Sequence, residues 1–136
     1  MSKNIFQKII DREISASVIY EDENYISFLN IFPFDDGHCL LVPKKSYKTI
    51  WEMKENEYLE LQKVLFYLVG KIRKKIGKDI AIIQRNGVDS GQEIPHVHFH
   101  IVPRYISEKE KPLFNDGGDE FILDHKKEKF EKLFKF

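Results

Sequence analysis

His96-Val97-His98-Phe99-His100-Ile101-Val102-Pro103-Arg104 places histidine at every second position three times running, with a bulky apolar residue in each gap. This stretch holds three of the chain's five histidines. A period of two is that of a β-strand, on which successive side chains point to opposite faces. The spacing therefore predicts a half-buried strand with His96, His98 and His100 on one face and Val97, Phe99 and Ile101 on the other. Burial of the apolar face holds the strand rigid and leaves the imidazole face for chemistry.

A row of imidazoles has three uses. A solvent-facing strand is the plainest, although such faces usually choose Thr, Lys or Glu. A metal site is the second, because neutral imidazole is the commonest metal ligand. At about 3.3 Å per residue His96 and His100 stand roughly 13 Å apart, whereas ligand nitrogens lie about 2 Å from a zinc ion, so one ion holds two of the three at most. Besides them the chain offers only Cys39, His38 and His125 as ligands of the same kind. The third use is histidine catalysis on phosphorus.

Working outward, Asn4 is placed to cap a short amphipathic helix carrying Ile5, Phe6, Ile9 and Ile10. Two β-rich runs, 16–21 and 25–30, are separated by Asp22-Glu23-Asn24 as a hairpin turn. Pro33 and Gly37 mark 31–37 as a loop before a strand over 38–43. Tyr58, Leu61, Leu65, Leu68, Val69, Ile72 and Ile76 recur at helical spacing over 54–76, with Gly77 as the stop. Leu59, Phe66 and Tyr67 widen that apolar stripe enough to suggest a second buried face. A strand over 79–85 follows, and 86–91 reads as a polar turn whose glycine-flanked backbone amides are suited to approach a phosphate. The order gives an α+β domain: a five-stranded antiparallel sheet, one long helix and a short N-terminal helix.

At 136 residues the chain is expected to form a single domain over 1–136. Its 22 basic and 22 acidic residues cancel, which argues against nucleic acid as a partner and for a small molecule. One cysteine cannot form an internal disulfide, and no long apolar run suggests a membrane segment or leader. The cytoplasm is the expected compartment.

Gly91-Gln92-Glu93-Ile94-Pro95-His96-Val97-His98-Phe99-His100-Ile101-Val102 closely resembles the signature of the histidine-triad (HIT) family of nucleotide hydrolases and transferases. Ile5-Phe6-Gln7-Lys8-Ile9-Ile10, Tyr20-Glu21-Asp22-Glu23, Phe28-Leu29-Asn30-Ile31 and Gly37-His38-Cys39-Leu40-Leu41-Val42-Pro43-Lys44 resemble further landmarks of that family, in order and at family spacing. The likeness covers 4–105 and implies a HIT-like fold and a homodimer joined through the long helix. It implies that His98 attacks the α-phosphorus of a purine nucleotide, forming a nucleotidyl-histidine that water hydrolyses. His96 and His100 would then donate to the non-bridging oxygens or the leaving group, and His38 would orient a ring or relay a proton. Ile5, Phe6 and Ile9 would line the base pocket, Asn30 would bind the ribose hydroxyls, and Asn86, Gly91 and Gln92 would meet the phosphate.

Three departures bear on the substrate. Many HIT proteins carry Cys at the positions of Asn4 and Gln7, and His near Ser46, to bind a structural zinc. Those ligands are absent here, so no metal and no cofactor are expected, and the N-terminal helix is expected to be held by packing alone. Glu93 stands where the nucleoside phosphoramidase branch commonly has Ser. The tail over 106–136, with Asp116-Gly117-Gly118-Asp119 as a turn and a helix expected from Asp124 onward, does not resemble the family's endings. The favoured activity is hydrolysis of nucleoside phosphoramidates or related AMP or GMP conjugates; a dinucleoside polyphosphate hydrolase is the alternative, and a non-catalytic nucleotide- or metal-binding module the third.

Overall fold

Asn4 does open a helix, and it does so reciprocally. Its side-chain oxygen accepts from the Gln7 backbone N–H at 2.9 Å, while the Gln7 side chain accepts from the Asn4 N–H at 2.8 Å. Such a capping box satisfies two of the amides that a helix start leaves unpaired. The computed structural model describes residues 2–30, 33, 37–103, 131–134 and 136. In chain order it contains α1 (Ile5–Ile10), β1 (Val18–Glu21), β2 (Tyr25–Leu29), β3 (Cys39–Pro43), α2 (Glu55–Ile76), β4 (Ile80–Gln84) and β5 (Phe99–Pro103).

The strands form one five-stranded sheet in the order β1-β2-β3-β5-β4, with every neighbouring pair antiparallel. This is the α+β architecture read from the sequence. The β1–β2 hairpin is set by Asp22, whose carboxylate accepts from the N–H groups of Asn24 and Tyr25 at 2.8 Å each. Gly77 ends α2 in the left-handed region at φ 70°, where a side chain would be strained.

Alternate residues of the central strands divide between two cores. On one side α2 buries Leu61, Leu65, Leu68 and Ile72 against Tyr25, Leu29, Leu41, Val97, Phe99 and Ile101. On the other, Phe6 and Ile9 of α1 pack on Ile26, Phe28, Leu40 and Val42. Every residue of β2, β3 and β5 is consequently buried. The triad strand is thus covered on both faces, where the alternation pattern alone suggests a half-buried one.

A second correction concerns where that strand starts. The expected strand begins at His96, but the β-ladder begins at Phe99, and Pro43 supplies the reason. The β3–β5 register runs Cys39↔Ile101, Leu40↔His100, Leu41↔Phe99 and then ends, near a proline with no N–H to donate. The freed Val97 N–H donates instead to the Tyr47 carbonyl at 2.7 Å. Alternation of side chains nevertheless persists through this irregular segment, since Val97 enters the α2 core with Phe99 and Ile101.

The end of the tail returns to the domain. Residues 131–133 are helical, Phe134 is fully buried in the α2 core, and the Phe136 N–H donates to the Ile19 carbonyl of edge strand β1 at 2.9 Å. The turn at Asp116–Asp119, and the first part of the helix expected from Asp124, lie outside the described residues, as do most of 31–37 and Arg104. Among the described residues no helix is long and apolar enough to cross a membrane.

Since Phe134 is a large side chain with no solvent exposure, Phe134→Ala should leave a cavity and lower unfolding stability by about 3–5 kcal/mol. A urea-denaturation midpoint that does not move would show that the tail end is not part of the core.

Candidate active site

Strand pairing decides which way the triad faces. His100 stands opposite Leu40 in β3, and Leu40 belongs to the core under α1, so His100 projects to the α1 side. There the Phe6 ring lies edge-on to His98 at 5.0 Å and to His96 at 5.7 Å between centroids, and His98 lies 5.1 Å from His100. All three imidazoles are buried, with His98 the most exposed at 2 %. The histidine face is a packed interior, and α1 is its cover.

In a buried site each ring's tautomer follows from its partners. The His98 Nδ1 lies 2.7 Å from the His96 carbonyl oxygen, which can only accept. Nδ1 must therefore carry the hydrogen, and the lone pair of a neutral His98 sits on Nε2. His96 is held from both ends: its Nε2–H donates to the Pro43 carbonyl at 2.8 Å, and its Nδ1 accepts from the Asn4 side-chain amide at 3.1 Å. His38, just before β3 and fully buried, places Nε2 at 2.9 Å from Nδ1 of His100, so one proton lies between those two rings.

Two expectations change here. The N-terminal helix is not held by packing alone, because Asn4 ties its first turn to the triad segment. His96 also offers no ring N–H to a substrate as folded, since its single N–H is committed to Pro43. Residue type and spacing carried no sign of either bond.

The turn after β4 differs from its expected role as well. The Gln92 amide nitrogen donates to the carbonyls of Lys48 at 2.8 Å and Ile94 at 3.0 Å, while its oxygen accepts from the Gly87 N–H at 2.6 Å. Both of its N–H donors are used, so as folded Gln92 braces the turn. The amides of Ser90 and Gly91 close on Gly87 and Val88 within the same turn, which removes them from an anion-binding nest. Asn86 accepts from the Ile50 N–H at 2.9 Å and pairs with the Gln84 amide, keeping one side-chain hydrogen.

The base-side candidates separate by depth: Phe6 is buried against the His96 and His98 rings and Ile9 is buried in the same α1 core, whereas Ile5 is 41 % exposed. Asn30 follows β2, and its N–H donates to the His38 carbonyl at 2.9 Å, which puts the ribose candidate beside the His38–His100 pair. Tyr47 was missed by sequence reasoning. Its carbonyl holds Val97 and its hydroxyl meets both oxygens of Glu57 at 2.7 Å, bridging the triad segment to the start of α2. Among the described residues no group of three or more His, Cys, Asp or Glu side chains is placed to hold a metal ion.

Comparison with known proteins adds to this geometry. The HIT domain model matches residues 11–107. An uncharacterised HIT-like protein of Methanocaldococcus jannaschii is 45% identical over 113 residues, covering 82% of this chain and 87% of that protein. A crystal structure of a Hit-like protein involved in cell-cycle regulation from Bartonella henselae superposes with a TM-score of 0.86 at 28% identity, covering 98% of this chain and 94% of the other. That of a hypothetical histidine triad nucleotide-binding protein from Sulfolobus tokodaii gives 0.83, again at 28% identity, over 96% and 88%.

Burial pushes the His96 imidazole below its ordinary value of 6.5; the Pro43 carbonyl partly opposes this and the neighbouring His98 adds to it. The unfolded chain takes up that proton near pH 6.5, the folded chain only at lower pH, so between the two values the unfolded state binds more protons and stability rises with pH. The contribution is complete above about pH 6.5 and is lost as pH falls through the folded value. The urea midpoint should therefore stay level from pH 8 to 7 and fall from pH 6.5 to 5.5. A midpoint that holds or rises on acidification would contradict a neutral, buried His96.

Proposed function

Because this chain belongs to the HIT domain family, we propose that it is a purine nucleotide hydrolase or nucleotidyl transferase working at the α-phosphorus through His98. The observation that carries the reading is the 2.7 Å bond from His98 Nδ1–H to the His96 carbonyl, which assigns the nucleophilic lone pair to Nε2. A neutral imidazole so held is a competent nucleophile near pH 7. Nε2 forms a bond to phosphorus as the bond to the leaving group breaks; the His38–His100 pair, entering with one added proton, gives that proton to the leaving group and recovers one from the attacking water in the second step. Water then cleaves the nucleotidyl-histidine, releasing a nucleoside monophosphate and restoring the ring.

Phe6 and Ile9, with Ile5 at the rim, suit the flat apolar face of a purine, and an amide such as Asn30 can donate to one ribose hydroxyl and accept from the other. The favoured substrates are nucleoside phosphoramidates or related AMP and GMP conjugates. The Sulfolobus protein's description as nucleotide-binding supports the substrate class. A reducing cytoplasm suits a chain whose single thiol, Cys39, is buried and pushed up to about 12 by that burial. A second copy is the proposed partner. On α2, Leu59 and Phe66 share one side, seven residues apart, and Phe66 is 85 % exposed; Gly70, one turn further, has nothing within 4 Å of where a side chain would begin. Tyr67 belongs less to that stripe, since it meets Tyr20 at 6.0 Å.

His98→Ala should abolish turnover of adenosine 5′-phosphoramidate yet still bind AMP, because base and sugar contacts lie on other residues. His100→Ala should lower the rate on the order of a hundred- to a thousandfold. Rapid quenching of the wild type should trap an acid-labile, base-stable nucleotide on His98; an adduct on His96 or His100 would reject the assignment. Faster turnover of diadenosine polyphosphates than of phosphoramidates would instead assign the alternative substrate class. Sedimentation at micromolar concentration should give a dimer mass, and Phe66→Glu should shift it toward the monomer; a wild-type monomer would reject the second copy.

A further inference from the structure

The Asn4–His96 bond reaches further than the stability of α1. The amide of Asn4 cannot be flipped, because its oxygen must accept from the Gln7 backbone N–H at 2.9 Å. Its nitrogen is therefore the atom facing His96 Nδ1 at 3.1 Å, and it can only donate. Nδ1 must then hold a lone pair, so the hydrogen of the ring is on Nε2, where the Pro43 carbonyl accepts it at 2.8 Å. The His96 backbone carbonyl accepts from His98 Nδ1–H at 2.7 Å. From Gln7 to Pro43 each donor is fixed by the one before it, with a backbone group of unalterable polarity at either end, while the His96 carbonyl fixes the His98 hydrogen directly.

We propose that Asn4 and His96 are positioning residues: the side-chain amide that caps α1 locks His96 as a neutral, Nε2-protonated ring, whose held main chain in turn aims the His98 nucleophile. This rests on the reading of His98 as nucleophile, and it takes His96 out of the role of proton donor to the substrate. The groups around the His96 ring agree with a neutral form. Phe6 presents a ring edge-to-face, Pro43 a carbonyl, Asn4 an amide, and His98 is the titratable neighbour. No carboxylate accompanies it in these contacts, so nothing there offsets a second proton on a fully buried ring.

The test uses the full chain labelled with 15N-histidine, reading the ring nitrogens directly. Wild type should show His96 protonated on Nε2 and bare on Nδ1 at pH 7.5. Asn4→Asp keeps the size and the capping oxygen but sets a carboxylate oxygen against Nδ1. It should drive a second proton onto His96 and lower kcat for adenosine 5′-phosphoramidate by roughly tenfold or more, with KM changed by about twofold at most. Asn4→Ser keeps a capping oxygen but is shorter, so it withdraws the amide that reaches His96 Nδ1; it should fold as wild type, admit both tautomers of His96, and show a smaller fall in kcat. A wild-type His96 protonated on Nδ1, or a ring whose tautomer and charge are the same in wild type, Asn4→Asp and Asn4→Ser, would overturn the proposal. The ring signals need no turnover: a protein inactive on every nucleotide tested but with the expected tautomers would refute the catalytic reading and retain the locked ring, whereas an active protein with unaltered rings in both variants would refute the lock alone.

Discussion

Val97, Phe99 and Ile101 can all lie under α2 only if the residues between them point the other way, and the site depends on that constraint. The three apolar residues are buried with Leu61, Leu65, Leu68 and Ile72 in one core. A slip of one residue would send them to the α1 side and place imidazoles against the helix, exchanging favourable apolar burial for unpaired buried nitrogens. The same hydrophobic term that holds the sheet to α2 therefore specifies which face carries the histidines. Phe134, although distant in sequence, strengthens that term from the far end of the chain by filling the same core.

Face alone does not make an imidazole reactive, since each ring can carry its hydrogen on either nitrogen. Here the ambiguity is removed by groups that have no choice. The Gln7 N–H can only donate and the Pro43 carbonyl can only accept, so Asn4 and His96 between them have one consistent arrangement. The His96 carbonyl acts in the same way on His98. In a buried setting a wrong tautomer leaves two like groups facing each other without water to intervene, at about 1–3 kcal/mol for each group left unsatisfied. His100, which lies beside His98, is hydrogen-bonded in turn through its Nδ1 to His38 Nε2 at 2.9 Å. On the proposed reading, the fixed polarity at His98 suits attack, and the hydrogen-bonded ring pair beside it is in place for proton transfer.

Much of this was legible in the residues. Period two over 96–101 gave the histidine and core faces correctly, the helical spacing of Leu61, Leu65, Leu68 and Ile72 gave the buried stripe of α2, and Gly77 marked its end. The capping box also had a local signature in Asn4 and Gln7, of which only the cap was read. What stayed hidden are bonds between residues far apart in sequence. Asn4 and His96 are separated by 92 positions and His96 and Pro43 by 53, and no periodicity links such pairs. The start of β5 shows the same limit, because the ladder stops at a proline in a different strand. Gln92 shows a related limit: residue type tells that an amide can donate, but only the fold tells that Lys48 and Ile94 accept both of its hydrogens.

The sheet separates two kinds of work. Residues on the α2 side lie behind the strands from the imidazoles, so shortening one there leaves a cavity away from the reacting face and acts first on stability. Residues on the α1 side touch the rings themselves, through Phe6, or set their protonation, through Asn4. The exception is the segment 96–98, which is irregular and joins both layers: Val97 is buried under α2 and hydrogen-bonded to Tyr47, while the residues flanking it carry the two rings. Tyr47 in turn is bonded to Glu57 in the first turn of α2. A change at Tyr47 or Glu57 therefore reaches His96 and His98 through one backbone amide. The start of the long helix, rather than its buried stripe, is where stability and chemistry are mechanically coupled.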